Sequence, residues 1–162
     1  MKQRSFSGLG SIERLGKLLE ETKSSNVLLV SGKRSFFLSG AEKALEPIKN
    51  SFNFIRFQDF EVNPKFEDVL KGIDIAQENN IDIVISIGGG SVIDMAKLIL
   101  AFIFPGQNHK AIIKGQENPI DPQIPHFSIP TTAGTGSEST HFAVVYHNKI
   151  KYSVSAPFLL PH

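Results

Sequence analysis

Apolar positions along the chain switch repeatedly between the two periods of regular secondary structure. From Ser11 to Thr22, Ile12, Leu15, Leu18 and Leu19 recur at helical spacing behind a serine suited to N-capping. Val27-Leu28-Leu29-Val30 is too short for a helix and reads as a buried strand that stops at Ser31-Gly32. A second helical face runs from Ser39 to Lys49 through Ala41, Ala44, Leu45 and Ile48, with Pro47 set to end it early. Phe52–Phe57 is strand-like, with Phe52, Phe54 and Phe57 expected to face inward, and Asn63-Pro64 marks a turn. Phe66, Val69, Leu70, Ile73 and Ala76 then trace an amphipathic helix over Lys65–Asn79.

The isoleucine-rich segment Ile81–Ile87 is mostly apolar and suits the centre of a parallel sheet, buried on both faces. The helix expected over Ser91–Phe104 is apolar almost all round, so it too belongs inside. Phe127-Ser128-Ile129 forms a short strand. Ala143–Tyr146 and Tyr152–Val154 pair across His147-Asn148 as a hairpin. Between the helix ending at Phe104 and the strand at Phe127, residues 106–125 hold three prolines and two glycines and read as a long surface loop. Strand and helix alternating with short connections predicts an open α/β architecture in one domain.

Composition narrows the function. With 162 residues, the chain has room for one sizeable core and little more. Seventeen Lys and Arg against sixteen Asp and Glu give a net charge of +1, which excludes a strong electrostatic footprint for nucleic acid. There is no cysteine, so no disulfide framework, thiolate nucleophile or Cys-ligated zinc. The longest apolar run, Leu98–Phe104, falls far short of the ~20 residues of a membrane span, and the N-terminus lacks a signal-peptide core. The expectation is a cytoplasmic protein without a membrane partner.

Gly88-Gly89-Gly90-Ser91 joins the best strand to a helix. Ligands of open α/β sheets bind at the carboxyl ends of strands, and a helix N-terminus there favours phosphate. Glycines admit close approach to a pyrophosphate, and Ser91 can cap the helix or donate to a phosphate oxygen; alternatively, the turn simply needs unusual φ and ψ. A second segment, Pro130-Thr131-Thr132-Ala133-Gly134-Thr135-Gly136-Ser137-Glu138, offers several donors to phosphate, ribose or a base edge, or else satisfies its own backbone. Familiar phosphate motifs do not apply. G-x-G-x-x-G fails at Ile93 and at Ser139, and the P-loop fails at Val27.

IGGGSVIDMAK and IPTTAGTGSEST, in this order and separation, resemble the nucleotide-binding half of the iron-containing alcohol dehydrogenases. Gly8-x-Gly10, Asn63-Pro64, Lys151 and Leu159-Leu160-Pro161 extend the resemblance almost end to end. It implies a Rossmann-like, mostly parallel sheet flanked by helices, with a C-terminal hairpin, forming a dinucleotide-binding domain over residues 1–162. It further implies hydride transfer between NAD(P)H and a small alcohol or aldehyde. Gly89, Gly90 and Ser91 would hold the pyrophosphate, bordered by Asn63. Thr131, Thr132 and Ser137 would meet the adenosine, phosphate or nicotinamide portions. Lys151 would reach the nicotinamide ribose, and Leu160 would pack near the cofactor. Asp94 fits the pattern as well as it fits an acid favouring the helix dipole.

Many relatives carry an Asp where this chain has Gly32. Without that acid a ribose 2′-phosphate is not repelled, and Lys33 or Arg34 can pair with it, so NADP(H) is expected over NAD(H), unless Gly32 merely makes the turn. The family's metal ligands, an Asp and three His, are expected on a helical second domain beyond residue 162. The five histidines here include no H-x-x-x-H pair, so neither iron nor another divalent metal is expected to bind this chain. The ending in mid-motif suggests a chain cut short of that domain, with little or no turnover on its own. His141 reads either as a structural histidine or as one facing a substrate. ESTHFAVVY and KYSVSAPFLLP resemble members acting on phosphonoacetaldehyde. A dehydroquinate synthase-like lyase, a glycerol-phosphate dehydrogenase relative, a non-catalytic nucleotide module and a homo-oligomer stay open.

Overall fold

The computed structural model describes residues 3–162. Its elements follow in chain order as α1 (Arg14–Thr22), β1 (Asn26–Ser31), α2 (Ser35–Leu38), α3 (Ala41–Leu45), β2 (Asn53–Phe57), α4 (Phe66–Glu78), β3 (Ile83–Gly88), α5 (Gly90–Phe102), α6 (His109–Ile113), β4 (His126–Pro130), β5 (Phe142–His147) and β6 (Ile150–Ser155). The first four strands form one parallel sheet in the order β2-β1-β3-β4, and β5-β6 is the expected antiparallel hairpin.

The sheet separates two cores. Leu28, Val30 and Val84 pack against α4, α5 and the hairpin, while Val27, Leu29, Ile83, Ile85 and Ile87 pack against α1, α2 and α3. Every residue of β3 is buried, as its continuous apolar run predicts for a central parallel strand. On α5, Val92 to Phe102 is buried except for Asp94. Gly72 lets α4 approach α5 closely, since a Cβ there would lie 2.5 Å from Ile99 Cδ1.

Three expectations are corrected. The helix over 39–49 is broken, because Gly40 adopts a left-handed φ of 76° and Glu46–Ile48, holding Pro47, tightens into a 3-10 turn. Phe52 and Phe54 pack on the α1 side, whereas Phe57 enters the other core, because side chains an odd number of residues apart leave a strand on opposite faces. The loop 106–125 contains α6, whose start is capped by the Asn108 side chain accepting from the Ala111 amide at 3.2 Å.

Candidate functional site

At the carboxyl end of the sheet, β3 stops at Gly88 and α5 begins two residues later. Thr131 N–H donates to the Gly88 carbonyl at 2.9 Å, so the chain leaving β4 folds over the end of β3. None of Gly88, Gly89 or Gly90 has a positive φ, so unusual backbone geometry is not what this turn requires. It requires room. A Cβ on Gly89 would lie 3.0 Å from Thr132 Oγ1, and one on Gly90 would lie 3.1 Å from Thr135 and 3.2 Å from Ser137 Oγ. The glycine turn and the threonine-serine segment thus form one narrow cradle at the start of α5, where the first amides of a helix lack intrahelical partners.

Asn63 joins this cradle. Its N–H donates to Ser91 Oγ at 3.2 Å, from a left-handed φ of 61° that asparagine tolerates better than most residues. Because Ser91 Oγ accepts that bond, its O–H proton remains to donate elsewhere. The hairpin docks alongside, with Tyr146 N–H donating to the Pro64 carbonyl at 2.8 Å. Lys151 pairs across from Tyr146 and is exposed on the same face of the hairpin.

Two residues on the inner turns of α5 hold the cradle's far wall. The Asp94 carboxylate accepts from Val144 N–H at 3.2 Å, and burial pushes its pKa up. Its role is therefore a brace to the hairpin rather than a dipole acid alone. The Lys97 side chain is wholly buried and donates to the carbonyls of Ser137 at 2.5 Å, Thr140 at 2.6 Å and Phe142 at 3.1 Å. Desolvation lowers its pKa to about 8, against the opposing pull of Asp94 and Glu138. Lys97 escaped the sequence reading. The signal was there, a lysine inside a helix apolar on every side.

Leu160 is a correction. The His162 N–H donates to the His126 carbonyl at 2.8 Å, and Leu160 lines a recess with Pro125, Phe127 and His162. His126 opens β4 opposite Val84, four residues before Pro130 pairs with Gly88. Leu160 thus lies at the amino end of the sheet, because the tail returns along the start of β4. His126 is itself buried in the strand; its Nε2 lies 2.8 Å from Ser86 Oγ, and burial lowers its pKa to about 3. His141 is exposed beside the Phe142 ring, and its carbonyl accepts from Ala156 N–H at 3.1 Å.

Gly32 follows β1 directly, level with the end of β3 through the Ser31–Ile87 pairing. A Cβ there would collide with Ser35 Oγ. Lys33 is turned to Asp59 in an exposed ion pair of 2.9 Å. Arg56, which the sequence reading passed over, donates from Nε to Ser31 Oγ at 2.7 Å and from Nη2 to the Gly32 carbonyl at 3.1 Å.

The chain matches the family model of the iron-containing alcohol dehydrogenases over residues 2–162. It belongs to that family. It is 38% identical over 145 residues to NADH-dependent butanol dehydrogenase B of Clostridium acetobutylicum, covering 88% of this chain and 36% of the relative. Butanol dehydrogenase A of the same organism is 36% identical over 142 residues, with 86% and 36% covered. The chain therefore spans little more than a third of the length of these curated relatives. Among solved structures, NADH-dependent butanol dehydrogenase A of Thermotoga maritima superposes with a TM-score of 0.85 at 25% identity, covering 99% of this chain and 43% of its own. A 1,3-propanediol oxidoreductase gives 0.83 at 26%, with 98% and 44% covered.

A dinucleotide fits the residues present. The glycine cradle leaves no space for side chains, and Thr131 Oγ1 at its edge is buried without a hydrogen-bond partner among the described residues. Among the described residues, no three His, Asp or Glu side chains converge as a metal site requires. No described helix is long and apolar enough to cross a membrane.

Proposed function

We propose that this chain is the nucleotide-binding half of an oxidoreductase that moves a hydride between NAD(P)H and a small alcohol or aldehyde. The observation that carries this is the cradle where Gly89 and Gly90 meet Thr132, Thr135 and Ser137 at the start of α5. When bound, the nicotinamide supplies or accepts the hydride. The chain's own work is to bind and orient. The amides of Gly90 and Ser91 and the Ser91 hydroxyl hold pyrophosphate oxygens, and the Asn63 amide fixes the Ser91 oxygen so that its proton points toward them. Thr131, Thr132 and Ser137 donate along the dinucleotide, and Lys151 closes the ribose side. Orientation of this kind lowers the entropy cost of transfer.

Metal ligands belong to a part of the protein outside these residues, so this chain alone turns nothing over. Phosphonoacetaldehyde stands within the small-aldehyde class on the strength of the two C-terminal segments. Gly32 supports NADP(H) as the preferred cofactor. A calorimetric titration of the chain with NADPH and NADH tests the reading. Saturable nucleotide binding is expected, and no binding by a folded chain overturns it. A second arm assays NADPH oxidation by butyraldehyde with added divalent metal, where sustained turnover would contradict the division of labour.

A further inference from the structure

We infer that Arg56 is the residue that recognises the 2′-phosphate of NADP(H). This inference rests on the nucleotide-binding reading above and assigns a specificity role within it. Sequence alone pointed to Lys33 or Arg34, but the side chain whose charge reaches the end of β1 comes from the neighbouring strand. Arg56 lies opposite Leu29 in the β1–β2 ladder, and its guanidinium extends along the strand to Ser31 Oγ and the Gly32 carbonyl.

Its geometry is that of a prepared donor. The guanidinium carbon lies 4.2 Å from the ring centroid of Phe36 and 4.9 Å from that of Phe37, so its charge is held against two aromatic rings. Nη1 has no hydrogen-bond partner, and no carboxylate lies within ion-pair distance of Arg56, among the described residues; Glu42 acts on it only through space. A half-buried guanidinium with neither counter-ion nor full hydrogen bonding is poised for an anion brought by a ligand. Gly32 completes the arrangement by keeping the strand end free of the acid that would neutralise Arg56 and repel a phosphate. Lys33 cannot substitute at the same place while it is turned outward to Asp59.

The test compares wild type, R56Q, R56K and K33Q by calorimetry with NADPH, NADH, 2′,5′-ADP and 5′-ADP. Wild type is expected to favour the 2′-phosphorylated member of each pair. R56Q should weaken NADPH and 2′,5′-ADP by about 10- to 100-fold, the worth of a charge-assisted contact, and leave NADH and 5′-ADP within about twofold. R56K keeps the charge without the fork and should give an intermediate ratio, which also serves if R56Q does not fold. K33Q should leave the ratio unchanged. Equal binding of NADPH and NADH by wild type, or a full preference retained in R56Q or R56K, overturns the assignment to Arg56 alone. Absence of binding to every nucleotide overturns the nucleotide-binding reading with it.

Discussion

Lys97 Nζ donates to the Ser137 carbonyl at 2.5 Å, tying the buried side of α5 to the segment that faces the helix's own N-terminus. The same ammonium also binds the carbonyls of Thr140 and Phe142, so one group fastens the far wall of the cradle to α5. In K97M those carbonyls lose their donor and the segment 137–142 is released. Chemical unfolding is expected to show a loss of about 2–4 kcal/mol, accompanied by weaker nucleotide binding.

The same lysine predicts a pH dependence. Its folded pKa is lowered to about 8, whereas an unfolded lysine titrates near ~10.4. Between these values the unfolded chain binds more protons, so the stability contributed by this group rises with pH through that window and is level below it. Urea midpoints of wild type and K97M are expected to diverge from pH 8 to pH 10. A difference that narrows instead would mean the carbonyls outweigh desolvation.

Gly90→Ala separates binding from folding. The added methyl group would lie 3.1 Å from Thr135 and 3.2 Å from Ser137 Oγ, forcing that wall back by a few tenths of an ångström. At the first helical position alanine carries no propensity penalty. Nucleotide affinity should fall about tenfold, with stability unchanged within about 1 kcal/mol. Equal losses in both would make Gly90 a folding residue only.

Ser86 and His126 share a buried hydrogen bond of 2.8 Å, with the imidazole held neutral by burial down to about pH 3. An unfolded histidine binds its proton near ~6.5, so this residue removes stability as pH falls from there toward 3. The double variant S86A/H126F removes both polar partners, and its urea midpoint should depend less on pH between 4.5 and 7 than that of wild type. An unchanged slope would place the acid sensitivity elsewhere.

Much of this fold is written locally. The continuous apolar run of β3, the amphipathic faces of α1 and α4 and the turn at Asn148 each decide their element without help from the rest of the chain. The sequence also locates the glycine and threonine segments, because their composition is extreme. What it hides are pairings across the sheet. Arg56 meets Gly32 only because β2 lies beside β1 in parallel, and Leu160 leaves the cradle only because the tail returns along the start of β4. His126 likewise stands at the end of a proline-rich loop in sequence and in a sealed strand in space.

The central claim is that a dinucleotide lies across the carboxyl end of the sheet. An amide-resolved NMR titration of this chain with NADPH tests it most directly. The shifts should concentrate at Gly89, Gly90, Ser91, Asn63, Thr132 and Ser137 and spare Leu160 and His162. Shifts centred on the recess around Leu160, or none at all at saturating nucleotide, would contradict it.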